Sequence, residues 1–61
     1  MNCQKVQKDH WYKLDDGRVG KVVSEPNCFG SDGYCNIEFK DHTENISTGT
    51  IDREVEAPDE N

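Results

Sequence analysis

A strict alternation of apolar and polar residues between Tyr34 and Asp41 constrains the fold of this chain more than any other feature of its sequence. Cys35, Ile37 and Phe39 fall on one side of an extended chain, and the intervening polar residues fall on the other. Such a period of two is typical of a strand with one face against a hydrophobic core. No segment has a sustained apolar stripe at the helical spacing of about 3.6 residues. The sequence therefore predicts an all-β protein.

Further strands are predicted on both sides of this one. The segment 10–14, HWYKL, is aromatic and strand-forming, and an Asp-Gly turn follows it. Residues 18–25 have strand composition, with Gly20 as a bulge or a point of close approach. The remaining segments are a loop at 28–33, a weaker strand at 43–50 and an alternating strand at 51–57.

The length of 61 residues bounds the domain organisation to a single domain. We expect an N-terminal arm or short strand at 1–9, a β-domain at 10–57 and an acidic tail at 58–61. Strands this short must curl or close to cover their edges and build a core. The expected fold class is therefore a small, partly open barrel of about four to five short antiparallel strands. A homodimer that covers a strand edge would help so small a core.

Two stretches resemble the SH3-like barrels of the KOW and Tudor type. They are GRVGKVV at 17–23 and, after a loop, CNIEFKD at 35–41. These families commonly show a glycine, a hydrophobic strand, a variable loop and an alternating strand that ends in an acidic turn. The resemblance covers about residues 10–55 and implies an SH3-like barrel that acts as a binding module. KOW-like barrels usually contact RNA, ribosomes or the transcription machinery, and Tudor-like barrels bind modified peptides.

A Tudor-like function would require an aromatic cage around a methylated cation. The candidate cage residues are Trp11, Tyr12, Phe29 and Tyr34, with Asp32 nearby. The alternative is that Trp11 and Phe39 are simply core residues, because a domain of this size has few large side chains to bury.

The charge is unevenly distributed along the chain, with a formal net value of −6. Residues 1–21 carry five basic and three acidic side chains, net +2, whereas residues 22–61 carry two basic and ten acidic side chains, net −8. Overall acidity argues against general affinity for nucleic acid. It favours a protein-interaction module, a small regulator or inhibitor that docks an acidic face on a basic protein partner, in the extreme form as a nucleic-acid mimic.

The last predicted strand supplies most of this acidic face. Its alternation is expected to turn Ile51, Val55 and Ala57 to one side and the acidic residues to the other. The predicted protein-binding residues are Glu38, Asp52, Glu54 and Glu56.

The basic first third of the chain supports an alternative, a KOW-like nucleic-acid-binding barrel. Lysine and arginine would contact phosphates, and aromatic side chains would stack on bases. The residues for this role are Lys5, Lys8, Trp11, Tyr12, Lys13, Arg18 and Lys21.

The three cysteines, Cys3, Cys28 and Cys35, are expected to be free structural thiols. If oxidised, Cys28 and Cys35 would be the pair, because they bracket a short loop. A second alternative function is a metal or redox mini-domain built on these cysteines with His10 or His42. Zinc sites usually contain two cysteines two to four residues apart, and this chain has no such pair, so no metal or cofactor is expected.

The sequence gives little support to catalysis or to a membrane location. His10 and His42 are isolated from any nucleophile motif, and no glycine-rich loop precedes a helix, so we do not expect an enzyme. No apolar run has the length of a signal sequence or of a membrane helix. We therefore expect a cytoplasmic protein with no membrane partner.

Overall fold

The structure is a computed structural model and describes residues 1–58. It consists of six antiparallel strands and two short 3-10 turns, Cys3–Lys5 and Thr48–Thr50. The strands are β1 (Trp11–Leu14), β2 (Val19–Val22), β3 (Asn27–Phe29), β4 (Asp32–Glu38), β5 (Thr43–Ser47) and β6 (Ile51–Val55). The predicted all-β class is thus confirmed. Of the acidic tail predicted at 58–61, all but Pro58 lies outside the described residues.

The six strands form one open sheet that does not close on itself. β1 pairs with β2 on one edge and with β6 on the other, so the last strand returns to the first. Tyr34 of β4 pairs with Asn27 of β3 and Ser47 of β5, and Ile37 pairs with Val22 of β2 and Glu44 of β5. β2 and β3 therefore follow each other along one edge of β4, and β5 occupies the opposite edge.

The β1–β2 turn has the conformation that its Asp-Gly dipeptide predicts. Gly17 has a φ of +92°, which favours glycine, and its N–H donates to Leu14 O at 2.9 Å. The Leu14 N–H donates to Arg18 O at 2.8 Å, which closes a three-residue loop of the kind common in hairpins. The Asp16 carboxylate accepts the Arg18 backbone N–H at 3.0 Å and stabilises the turn further.

The segment 28–33 was predicted as a loop, and this prediction is wrong because the segment forms most of a tight hairpin. β3 and β4 pair up to the register Phe29–Asp32, which leaves only Gly30 and Ser31 in the turn. Gly30 has a φ of +71°, and glycine at the first turn position suits a two-residue hairpin. The two strands expose one whole face to solvent, so their sequence is polar and predicted a loop.

The core lies on one face of the sheet. The predicted inward face of β4 is confirmed, since Cys35 and Ile37 are buried and Phe39 packs against the core. Tyr12, and not Trp11, is the aromatic residue of β1 that fills the centre. The buried apolar side chains of the core cluster are Val6, Tyr12, Leu14, Val22, Cys35, Ile37, Ile46 and Ile51.

Gly20 is a point of close approach, as predicted. A Cβ on Gly20 would overlap Cγ2 of Ile37 and would lie 3.1 Å from Cδ1 of Phe39. The absence of a side chain at Gly20 therefore allows β2 to pack closely against β4.

The N-terminal segment is covalently attached to the sheet by a disulfide between Cys3 and Cys28, whose Cα atoms are 5.7 Å apart. The expectation of free thiols is therefore wrong for Cys3 and Cys28 and holds for Cys35. The alternative pairing of Cys28 with Cys35 is also wrong, because Cys28 lies opposite Gly33 in the hairpin while Cys35 lies opposite Ile46 and is buried in the core. Gly33 makes room for the bond, since a Cβ there would lie 2.6 Å from the Cys3 sulfur.

A bulge in β6 changes which of its residues face the core. The register with β1 shifts between Lys13, opposite Arg53, and Leu14, opposite Ile51, so Asp52 has no direct partner. Ile51 is buried, but Val55 lies opposite Trp11 on the outer face, which contradicts the simple alternation predicted for 51–57. A bulge depends on pairing between distant segments and cannot be recognised in the strand's own sequence.

Across residues 1–58 we find no helix with the length and apolar character needed to span a membrane.

Candidate functional site

The outer face of β2, β1 and β6 gathers tryptophan, cations and valines on one surface. Tyr12 and Leu14 point into the core, so their neighbours Trp11 and Lys13 point outward. Residues opposite one another in a sheet share a face, which adds two residues from β2 and two from β6. We call this surface the Trp11 face; it consists of Trp11, Lys13, Val19, Lys21, Arg53 and Val55.

Trp11 lies in the middle of this face, with Lys21 directly opposite on β2 and Val55 directly opposite on β6. Lys13 lies in the next outward row, between Val19 and Arg53. Trp11 is the single tryptophan of the chain and is half-buried, so part of its indole remains available to a partner.

An open groove borders the Trp11 face at the start of β1 and the end of β6. Its volume is about 500 Å³. Its charged lining groups are mostly carboxylates, those of Asp9, Glu54 and Glu56, which lie along it beside Trp11. We call this the acidic groove; its lining residues are Asp9, His10, Trp11, Glu54, Val55, Glu56 and Ala57.

Within the groove, His10 Nδ1 lies 3.0 Å from Glu54 Oε2. Both side chains are between two fifths and one half exposed, so water screens this contact strongly. The contact places the His10 ring beside one carboxylate oxygen of Glu54, Oε2, within the acidic groove.

The four residues predicted to bind protein do not form one row. Glu54 and Glu56 lie together in the acidic groove. Asp52 lies at the bulge, where its carboxylate accepts a hydrogen bond from Arg53 at 3.2 Å. Glu38 lies on β4, two strands from Trp11, and is paired in register with Lys21.

The residues predicted for nucleic-acid binding are also divided. Trp11, Lys13 and Lys21 meet on the Trp11 face. Lys5 belongs to the first 3-10 turn and Lys8 to the exposed link before β1. The ring of Tyr12 is fully buried, and its hydroxyl accepts the Gln7 N–H at 2.8 Å, so it has no free face for a base.

Arg18, the remaining member of that set, is held by other residues. Its guanidinium donates to Glu44 at 2.7 Å and to Asp16 at 2.8 Å, and it lies 4.5 Å from the ring centre of Phe39. These hydrogen bonds raise the pKa of Arg18, and Arg18 in turn lowers the pKa of Asp16. Arg18 therefore joins the β1–β2 turn to β5 and is not a free phosphate ligand.

His42 completes this network between β4 and β5. Its two ring nitrogens lie 2.6 Å from Glu44 Oε2 and 2.6 Å from Asp41 Oδ1. The hydrogen bonds with Glu44 and then with Asp41 raise the pKa of His42 above its ordinary value. The same contacts lower the pKa of Glu44 and of Asp41.

The proposed aromatic cage is not assembled. Tyr12 lies in the core, and Trp11 lies on a different part of the sheet from the β3–β4 hairpin. Phe29 and Tyr34 do share the outer face of that hairpin, with Asp32 directly opposite Phe29.

The cysteines offer little to a metal ion. Cys3 and Cys28 are joined to each other, and burial raises the pKa of the remaining thiol, Cys35. In the described part of the chain, no three histidine, cysteine, aspartate or glutamate side chains are grouped so that they could hold a metal ion.

The sequence analysis did not assign six members of this site: Asp9, His10, Val19, Arg53, Val55 and Ala57. Arg53 stands between two acids, and Val55 was expected on the core side. Both join the Trp11 face only through the bulged register with β1. Pairing between the two ends of the chain is the feature that would have identified them.

Comparisons with known proteins give no relative. No protein-family model matches the chain, and neither the curated proteins nor the solved structures include a match.

Proposed function

We propose that this protein is a non-catalytic protein-interaction module that docks the acidic groove on the basic surface of a partner, with the cations of the Trp11 face turned towards an adjoining acidic patch. One observation carries the proposal: Trp11 stands between the carboxylates of Glu54 and Glu56 on one side and the cations of the outer face on the other.

The composition of this surface suits a protein partner. Tryptophan and arginine are the side chains most enriched at the energetic centres of protein interfaces, and surrounding residues exclude water from them. Trp11 and Arg53 share the face with Val19 and Val55. The surface has acidic side chains at one end and basic side chains at the other. A partner with complementary charges would bind in one orientation, because the reversed orientation would bring like charges together.

The topology supports an SH3-like barrel as the finer description of the fold. β1, β2, β4 and β5 pair in succession as a meander, and β3 follows β2 along the same edge of β4. A 3-10 turn follows at Thr48–Thr50, and β6 then returns to pair with β1. Membership in the KOW or Tudor type is part of the proposal and rests on the sequence resemblance of residues 17–23 and 35–41.

The Cys3–Cys28 disulfide is relevant to the cellular compartment in which the protein works. The sequence favoured the cytoplasm, whereas a disulfide such as Cys3–Cys28 persists mainly in oxidising compartments. We therefore propose that the protein works outside the reducing cytoplasm. A free-thiol assay on protein isolated from its source would find one thiol per chain if this is right and three if it is wrong.

Trp11 supplies the assay for the main proposal, because its fluorescence comes from the proposed interface alone. The probe is a short peptide of alternating lysine and arginine, titrated into the protein at low salt. We expect a saturable change in emission that weakens about tenfold in the Glu54→Gln/Glu56→Gln variant. The matched control, Asp15→Asn/Glu25→Gln, removes the same charge from two exposed residues, one in the β1–β2 turn and one before β3, and should leave the affinity unchanged. Equal loss in both variants would show that net charge alone attracts the peptide.

A second candidate, binding of single-stranded nucleic acid, is favoured by one specific observation. Lys13, Lys21 and Arg53 lie on the same face as Trp11, an arrangement that suits phosphate contacts with a stacked base. Three such contacts predict a slope of about −2 in a plot of log affinity against log salt. The probe is an oligothymidine of about twelve nucleotides. Binding that disappears in Lys13→Gln/Lys21→Gln, with no response to the basic peptide, would replace the first candidate by this one.

A further inference from the structure

The outer face of the β3–β4 hairpin carries the two most exposed aromatic side chains among residues 1–58. Phe29 is 68% exposed and Tyr34 is 52% exposed. In register, Phe29 lies opposite Asp32 and Tyr34 lies opposite Asn27, so the two rings are diagonal neighbours on one face. Diagonal neighbours in a sheet have a spacing of about 7–8 Å, which is short enough for one ligand to reach both rings.

The side chains around these rings are hydrogen-bonding groups with little charge. The pairing of β4 with β5 places Ser47 beside Tyr34, and Asn36 beside Asn45. We call the whole surface the aromatic platform; it consists of Asn27, Phe29, Asp32, Tyr34, Asn36, Asn45 and Ser47.

The amides of the aromatic platform are partly committed to each other. Asn45 Nδ2 donates to Asn36 Oδ1 at 3.1 Å. Within the described part of the chain, the other two side-chain amide atoms, Asn45 Oδ1 and Asn36 Nδ2, have no hydrogen-bond partner. The platform thus presents both acceptors and donors to a ligand, with the Asp32 carboxylate as a further acceptor.

The hairpin that carries the platform is fixed from its other side. The disulfide attaches Cys28 to Cys3, the Cys3 N–H donates to Ser31 O at 2.9 Å, and the Gln4 side chain donates to Gly30 O at 3.0 Å. A hairpin with a three-residue strand is marginal alone, so this attachment holds the two rings in place before any ligand arrives.

We propose that the aromatic platform binds a neutral oligosaccharide. The C–H face of a pyranose ring is apolar and electropositive, so it stacks on the electron-rich faces of Phe29 and Tyr34, as other electropositive groups do. The hydroxyl groups at the rim of the sugar match the amide, hydroxyl and carboxylate groups around those rings. Because Asp32 is the single charged residue of the platform, an anionic polymer finds no cation there.

The test is a titration of the isotopically labelled protein, followed by amide chemical shifts, with cellohexaose, laminarihexaose, mannohexaose and chitohexaose as separate probes. At least one probe should give saturable shifts confined to β3, β4 and β5. Phe29→Ala and Tyr34→Ala should each weaken that binding about tenfold. Both side chains are exposed, so both variants should keep the unfolding temperature of the wild type.

A matched control is Val19→Ala, which removes an exposed apolar side chain from the opposite part of the sheet and should leave sugar binding unchanged. Absence of saturable shifts with all four probes would overturn the proposal, as would binding that survives both aromatic substitutions. Shifts on the platform that depend on protein concentration without any sugar would assign the rings to contact with a second copy of the chain and would also overturn it.

Discussion

The Cys3–Cys28 disulfide should supply a large part of the stability of this protein. The two residues are 25 positions apart, and closing a loop of that length in the unfolded chain corresponds to about 3.5 kcal/mol in the chain-entropy model. A domain of this size has a total free energy of unfolding of about 3–9 kcal/mol. Reduction should therefore lower the unfolding temperature by roughly 15–25 °C.

Thermal unfolding followed by Trp11 fluorescence, with and without a phosphine reductant, measures this effect. The Cys3→Ala/Cys28→Ala variant is the control, because it should unfold near the temperature of the reduced protein and show no further response to reductant. A shift below about 5 °C on reduction would refute the reasoning, since it would mean that the N-terminal segment is not attached through this bond. A response of the double variant to reductant would indicate that Cys35 is responsible instead.

Four further substitutions, one of them a control, test other parts of the fold by the same unfolding measurement. Gly20→Ala should destabilise the protein by about 1–3 kcal/mol because the added Cβ overlaps β4. The control is Gly49→Ala, whose added Cβ lies 3.7 Å from the nearest atom, and it should destabilise the protein far less. Equal effects of the two substitutions would contradict the close approach at Gly20. Tyr12→Phe should destabilise by about 1 kcal/mol, since the Gln7 N–H loses its acceptor; an unchanged stability would mean that water replaces the hydroxyl. The raised pKa of His42 contributes stability that is complete below pH 6.5 and is lost as the pH rises through the folded-state pKa. His42→Gln should therefore reduce the difference in unfolding temperature between mildly acidic and alkaline buffer, and an identical difference in the variant would exclude this role.

Much of the fold could be predicted because its determinants are local. The alternation around Ile37 fixes an inward face within one strand, and the turn at Gly17 requires only its own dipeptide. These features depend on neighbours a few residues away, which a single sequence displays.

The remaining features depend on pairing between distant segments. The bulge at Asp52 exists only against β1, and it moves Val55 from the expected core side to the Trp11 face. The partner of Cys28 is likewise decided by how residues 1–9 pack over the hairpin, which no local pattern encodes. The candidate site follows from these pairings, so the sequence predicted some of its members, such as Trp11 and Glu54, and could not predict Arg53 and Val55.

Chemical-shift mapping of the labelled protein with the lysine- and arginine-rich peptide tests the central claim most directly, because it locates the bound peptide on the sheet. We predict saturable shifts that cluster at Asp9, Trp11, Glu54 and Val55 along the acidic groove and the adjoining Trp11 face. Weak, non-saturating shifts spread over all the acidic side chains would contradict it, because they would mean that the net charge of −6, and no particular surface, attracts the partner.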